Sequence, residues 1–234
     1  MILYTLLFLL ALIVSFPYWL CRAWRKGETN LTAARLGLTS WPRDVQSSPV
    51  WIHAVSVGEV QAAEPLIQAI RIRRPNTKIT LSVTTRTGME LAAKALIPLV
   101  GVAGPAPFPL DVPWAVRRRL GEVSPVGIIF IDTELWPNLI LEAARRKIRL
   151  GLANGRISDS SFPRYRLIRF FLAPLLENFD RFWMQSDLDA DRIIAMGAKA
   201  SRVKVTGNLK IDALTARLSN IPGNGSPPGQ PGMS

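Results

Sequence analysis

Carboxylates stand in this sequence at two places where they could do chemistry. Glu59 follows Ser56-Val57-Gly58 at the end of an apolar run, and Asp132 and Glu134 follow another, 127–131. The missing side chain of Gly58 lets a second group approach Glu59 closely. A carboxylate that opens a helix is also favoured in its ionised form by the free N–H groups there. Such a group at a crevice edge can act as general base toward a hydroxyl, or it can simply cap its helix. Strand alternation would put Asp132 and Glu134 on one face, with Trp136-Pro137 shaping the wall beside them. As a pair they could bind a metal, orient a polyol or form salt bridges with nearby arginines. Cys21 is the only cysteine and His53 the only histidine. An intrachain disulfide, a thiolate metal cluster, a histidine zinc site and a histidine relay are therefore excluded by count.

The elements that must position these groups are short apolar runs alternating with helical patterns. Residues 50–57, 78–84, 126–131, 148–153, 181–185 and 202–206 read as strands. Residues 60–73, 88–97, 114–123 and 138–147 read as helices between them. That alternation predicts an α/β fold with a Rossmann-like parallel sheet and helices on both faces. In open parallel sheets ligands bind beyond the carboxyl ends of the strands. Those ends carry Ser56, Gly58 and Glu59; Thr85; Asp132 and Glu134; Asn154 and Arg156; Gln185; and Asn208 and Lys210. The stretches 26–49 and 101–113 read as irregular, the second because of its prolines.

The N-terminus predicts a membrane anchor over 1–21, either a full span or, because of Pro17, a shallow half-inserted helix. A buried core helix is the alternative. The segment has no charged residue before Arg22, and twenty helical residues rise about 30 Å, the thickness of a bilayer core. Arg22, Arg25 and Lys26 follow at once, which by the positive-inside rule keeps the remainder in the cytoplasm. Residues 22–49 are then a basic juxtamembrane connection, 50–212 the folded domain, and 213–234 a Gly/Pro-rich tail that cannot bury a core. The net charge of +12 implies an anionic partner. Nucleic acid, acidic lipid headgroups and phosphorylated substrates all qualify, beside a solvated surface that is merely basic. The segment 162–179, where Arg164, Arg166 and Arg169 alternate with apolar residues, reads as a membrane-facing helix against anionic lipid or a core helix kinked at Pro174. Nucleic acid is not favoured, because the basic clusters lie on separate helices and no binding motif is present.

The runs 53–59 (HAVSVGE), 132–138 (DTELWPN), 153–156 (ANGR) and 205–212 (VTGNLKID) resemble the Kdo (3-deoxy-manno-octulosonic acid) transferase family in order and spacing. The resemblance implies the N-terminal, acceptor-side half of a GT-B glycosyltransferase at the bacterial inner membrane. It implies CMP-Kdo as donor, a lipid A precursor as acceptor, and no metal or other cofactor. Glu59 then matches the proton acceptor, and Asp132 and Lys210 match transition-state stabilisers, with Asp132 standing where the family usually has glutamate. Ser56, Gly58, Thr85, Glu134, Asn154, Arg156 and Asn208 are expected to line the acceptor cleft. In the family a donor domain follows the Thr-Gly-Asn-Leu-Lys segment, where this sequence has its Gly/Pro tail; little or no transfer is expected of the chain alone. A non-catalytic, membrane-anchored module that binds the acceptor lipid is the alternative reading.

Overall fold

A computed structural model describes residues 2–26, 29–41, 48–96 and 105–211. The tail expected over 213–234 and parts of the 22–49 connection lie outside the described residues. Seven parallel strands form one sheet in the order β3-β2-β1-β4-β5-β6-β7. They are β1 (Val50–Ala54), β2 (Ile79–Val83), β3 (Ala106–Pro107), β4 (Gly127–Ile131), β5 (Arg149–Gly155), β6 (Arg181–Met184) and β7 (Val203–Val205). After β1 the chain steps outward to β2 and β3, then returns so that β4 pairs with the other edge of β1. That reversal opens a crevice beyond the carboxyl ends of β1 and β4.

Each sheet face carries its own apolar cluster, because successive strand residues point to opposite sides. On one face α3 (Val57–Arg73) and α4 (Arg86–Ala95) bring Val60, Ile67 and Ala92 against Ile52, Ala54 and Ile131. On the other lie α5 (Pro113–Val123), α6 (Pro137–Arg145), α7 (Phe162–Leu167), α8 (Arg169–Leu176) and α9 (Asp187–Met196). Leu120, Ile140, Leu176 and Ile193 from these helices meet Trp51, Phe130, Leu152 and Phe182. Proline at the first helical turn of α5 and α6 fits the missing N–H there, and explains why each begins one residue before its predicted start.

Three expectations are corrected. The stretch 26–49 contains a helix, α2 (Thr29–Arg35), and the proline-rich stretch contributes the edge strand β3. The N-terminal segment is helical over α1 (Ile2–Lys26), but it is docked on the domain. Tyr4 Oη donates to Asp111 Oδ2 at 3.0 Å, Thr5 Oγ1 to Asn138 Oδ1 at 3.1 Å, and the Tyr4 ring lies 5.8 Å from that of Phe171. A helix crossing a bilayer with its N-terminus on the far side would hold Tyr4 roughly 30 Å from the domain. Among the described residues no helix is long and apolar enough to cross a membrane. Within 162–179 the core-helix reading is met in part. Leu172, Leu175, Leu176 and Phe179 are buried, Leu167 and Phe170 are each 81% exposed, and the helix breaks at Ile168 with Pro174 inside α8.

His53 on β1 belongs to the core. Its ring stacks on Phe108 at 3.6 Å and Nδ1 bonds Ser82 Oγ at 2.9 Å. Burial, aided by Arg35 and opposed by the Ser82 carbonyl, lowers its pKa to about 3. Unfolded, the imidazole titrates near 6.5, so between those values the unfolded chain binds more protons and stability rises with pH. Denaturant unfolding is expected to lose up to roughly 1.4 kcal/mol per pH unit below 6.5 from this group. A His53→Gln variant should lack that slope; identical slopes in the two proteins would contradict the assignment.

Candidate active site

Ser56 caps α3 in extended conformation, so Glu59 falls on the first helical turn and points back over the strand end. Its Oε2 accepts from Val55 N–H at 2.7 Å and its Oε1 from Ser56 Oγ at 3.0 Å. Neither donor is an N–H of α3 itself, so these bonds fix the carboxylate at the crevice without capping the helix. Burial raises the pKa of Glu59 despite these two hydrogen bonds, with Asp132 raising it further and Lys210 opposing. The helix start therefore does not hold this group at an ordinary carboxylate value, because desolvation outweighs it. A Cβ at Gly58 would lie 3.0 Å from Lys210 Nζ, the movable end of an exposed side chain.

Asp132 does not continue β4. Its φ of +64° turns the chain out of the strand, with Asp132 N–H on Ala153 O at 2.9 Å and Thr133 N–H on Asp132 Oδ1 at 2.7 Å. The alternation expected of Asp132 and Glu134 fails for that reason, yet the turn brings both side chains to one pocket. Burial raises the Asp132 carboxyl against the pull of Thr133 N–H, Arg156 and Lys210. Burial, then the nearby Glu59 and Asp132 charges, pushes Glu134 up to about 7. A carboxyl raised this far can take up a proton near neutral pH, and so donate as well as accept.

These three carboxyls line an open pocket of ≈ 210 Å³ together with Arg156, Ser158 and Tyr165. Thr133 Oγ1 ties its two loops together, donating to Arg156 O at 2.6 Å and accepting from Arg156 N–H at 3.1 Å. Helix α9 holds the far wall. Asp189 Oδ1 accepts from Ile157 N–H at 2.7 Å, and Arg192 Nη1 donates to Ile157 O at 2.6 Å. Among the described residues no group of three or more His, Cys, Asp or Glu side chains could hold a metal ion. A larger cavity of ≈ 680 Å³ lies at the opposite, amino ends of the strands beside Arg149, Arg181 and Trp183. Its one lining carboxylate, Asp180, accepts from Leu150 N–H at 2.8 Å.

The other expected site residues, Ser56, Gly58, Thr85, Asn154, Asn208 and Lys210, do not line this pocket. Thr85 caps α4, its Oγ1 accepting from Gly88 N–H at 3.3 Å. Asn154 is only 3% exposed and does not face the cleft; its Oδ1 accepts from Leu209 N–H at 3.0 Å. Asn208 Oδ1 accepts from Lys210 N–H at 3.0 Å, which shapes the turn that delivers Lys210. Tyr165, Ser158 and Ser161 enter the site without having been singled out. The serine-rich run directly after Asn154-Gly155-Arg156 is the signal that could have found the two serines.

Solved structures share the seven-stranded parallel sheet with helices on both faces. UDP-GlcNAc 2-epimerase from Neisseria meningitidis shares this fold, with TM-score 0.52 and 14% identity over 74% of this chain and 50% of that one. The epimerase from Methanocaldococcus jannaschii does likewise, at 0.52 and 13% over 73% and 48%.

Residues 31–213 match the family of 3-deoxy-D-manno-octulosonic-acid transferases, and the chain belongs to that family. It is 35% identical to the 3-deoxy-D-manno-octulosonic acid transferase of Haemophilus influenzae, over 71% of this chain and 38% of that protein. A bifunctional glycosyltransferase/methyltransferase of Fusobacterium nucleatum is 38% identical over 74% of this chain and 27% of its own length. A probable mitochondrial 3-deoxy-D-manno-octulosonic acid transferase of Arabidopsis thaliana is 37% identical over 70% and 36%. The chain thus spans between about a quarter and two-fifths of these relatives.

Proposed function

We propose that this chain forms the acceptor side of an enzyme that transfers Kdo from CMP-Kdo to a lipid A precursor in lipopolysaccharide core assembly, without a metal ion. The observation that carries the reading is the Glu59 carboxylate, hydrogen-bonded at the crevice edge, with Asp132, Glu134 and Lys210 around it. Glu59 removes the proton of an acceptor hydroxyl as that oxygen bonds to the anomeric carbon of Kdo. The bond from that carbon to the CMP phosphate breaks with inversion, and its electron pair leaves on the phosphate. The Lys210 ammonium offsets negative charge gathered at the site, and Asp132 faces the positive charge that develops on the sugar. Glu134, Ser158 and Tyr165 offer hydrogen bonds to a polyol, and a general base of raised pKa is better matched to neutral pH than an ordinary carboxylate.

The site works, in this proposal, at the cytoplasmic face of the inner membrane, against anionic lipid. Support comes from Leu6, Leu7, Leu10, Ile13 and Val14 of α1, all more than half exposed, and from exposed Leu167 and Phe170 beside Arg164, Arg166 and Arg169. A docked helix with one apolar face outward suits a surface-bound rather than a spanning attachment. The purified chain in detergent is expected to bind a lipid A precursor saturably, and to cosediment with vesicles containing anionic lipid. Binding no tighter than that of a neutral lipid of equal chain length would remove the acceptor assignment.

A further inference from the structure

We propose that Gln185 is a positioning residue of this site, its side-chain amide bridging Asn154 and Asn208 so that the Asn208–Lys210 turn carries the Lys210 ammonium over Gly58. The inference rests on the reading of Glu59 and Lys210 given under Proposed function. Gln185 Nε2 donates to Asn154 O at 2.9 Å, and its Oε1 accepts from Asn208 Nδ2 at 3.0 Å. Asn208 in turn accepts from Lys210 N–H at 3.0 Å, while Asn154 Oδ1 holds Leu209 N–H at 3.0 Å. Every residue of the turn from Asn208 to Lys210 is thereby tied, directly or through one amide, to the ends of β5 and β6.

Asn154 has been bent to make this possible. Its φ of +58° lies in the left-handed region, and the β5–β6 pairing shifts register between Leu152 and Gly155. The Asn154 carbonyl consequently leaves the sheet ladder and is free to accept from Gln185. Left-handed asparagine costs about 1 kcal/mol or more, and it persists where surrounding contacts over-determine it. The amide chemistry is also specific. One side-chain end must donate to a carbonyl and accept from an amide NH2 at once, which glutamine does and glutamate or leucine does not.

Lys210 itself is exposed, and among the described residues it makes no salt bridge within 4.0 Å. Its backbone position, not an ion pair, therefore sets where its ammonium starts from. From that position it lowers the pKa values of both Glu59 and Asp132. A Gln185 lost from the bridge lets the turn relax, and the ammonium moves away from the base.

The test follows the Glu59 carboxyl by carbon-detected NMR through a pH titration of the whole chain. Lys210→Met should raise the Glu59 midpoint, and Gln185→Leu should raise it in the same direction by at least half as much. The double variant should add little to Lys210→Met alone, because both changes remove one interaction. If Lys210→Met shifts Glu59 and Gln185→Leu leaves it unmoved, the Gln185 role is wrong. If Lys210→Met itself has no effect, the placement of Lys210 against the base fails, which is a failure of the underlying reading. Should Gln185→Leu not fold, Gln185→Met removes both hydrogen bonds of the amide while leaving the Asn208–Lys210 bond in place and must give the same rise; an unmoved Glu59 there overturns the proposal equally.

Discussion

In a chimaera that supplies a donor domain, Glu59→Gln is expected to slow the proposed Kdo transfer by roughly 10²–10⁴-fold, the usual weight of a general base. Glutamine keeps the size of the side chain, and its amide oxygen can still accept from Val55 N–H or Ser56 Oγ, the two donors that fix Glu59 at 2.7 and 3.0 Å. What it cannot do is take the proton from the acceptor hydroxyl. The pH profile sharpens the test. Glu59 must be deprotonated to act, so the rate rises with pH through its pKa, which burial has raised. That acid limb should be absent in the variant, whereas a merely structural role for Glu59 would leave the limb in place and shift only stability. An intact limb in Glu59→Gln, with the rate lowered less than tenfold, would assign the base elsewhere.

The second large effect concerns the fold. Gly197→Ala is expected to destabilise the chain by about 3 kcal/mol or more, the sum of overpacking and a strained backbone. Gly197 ends α9 at φ +121°, and a Cβ there would meet Ala173 Cβ at 2.3 Å and Ala173 Cα at 2.7 Å. The second of these contacts is backbone, so no side-chain rotation relieves it. Helix α9 would be pushed from α8, and with it Asp189 and Arg192, which hold the pocket wall at Ile157. Denaturant midpoints measure the effect; a loss below about 1 kcal/mol would mean that α8 and α9 do not approach as closely as described.

The parallel sheet was legible because short apolar runs, such as Gly127–Ile131, alternate with helical patterns along the chain. Glu59 was legible for a local reason: a Ser-x-x-Glu spacing at a strand-to-helix turn puts the carboxylate at the sheet edge whatever the rest of the chain does. Asp132 was reached through a wrong intermediate, since a strand period was extended across a residue that adopts a left-handed turn. Asn154 looked like a cleft residue from its position after β5, but its burial depends on the Asn208–Lys210 turn more than fifty residues later. Tyr165 was missed because it comes from a helix, and only tertiary packing brings α7 over the strand ends. The docking of α1 was hidden for a similar reason. An apolar run reports that a helix will leave water, not whether it enters lipid or lies on Phe171.

The account is tested most directly by replacing the matching segment of the Haemophilus influenzae relative with residues 31–213 of this chain. A lipid A precursor is incubated with CMP-Kdo and the chimaera, and its mass is read. The predicted result is a gain of Kdo-sized mass with the chimaera and the parent relative, and its near-absence with the Glu59→Gln chimaera. A folded chimaera that adds nothing while the parent does, or a Glu59→Gln chimaera that adds as much as its unmodified counterpart, would contradict the assignment of this crevice as the place where transfer occurs.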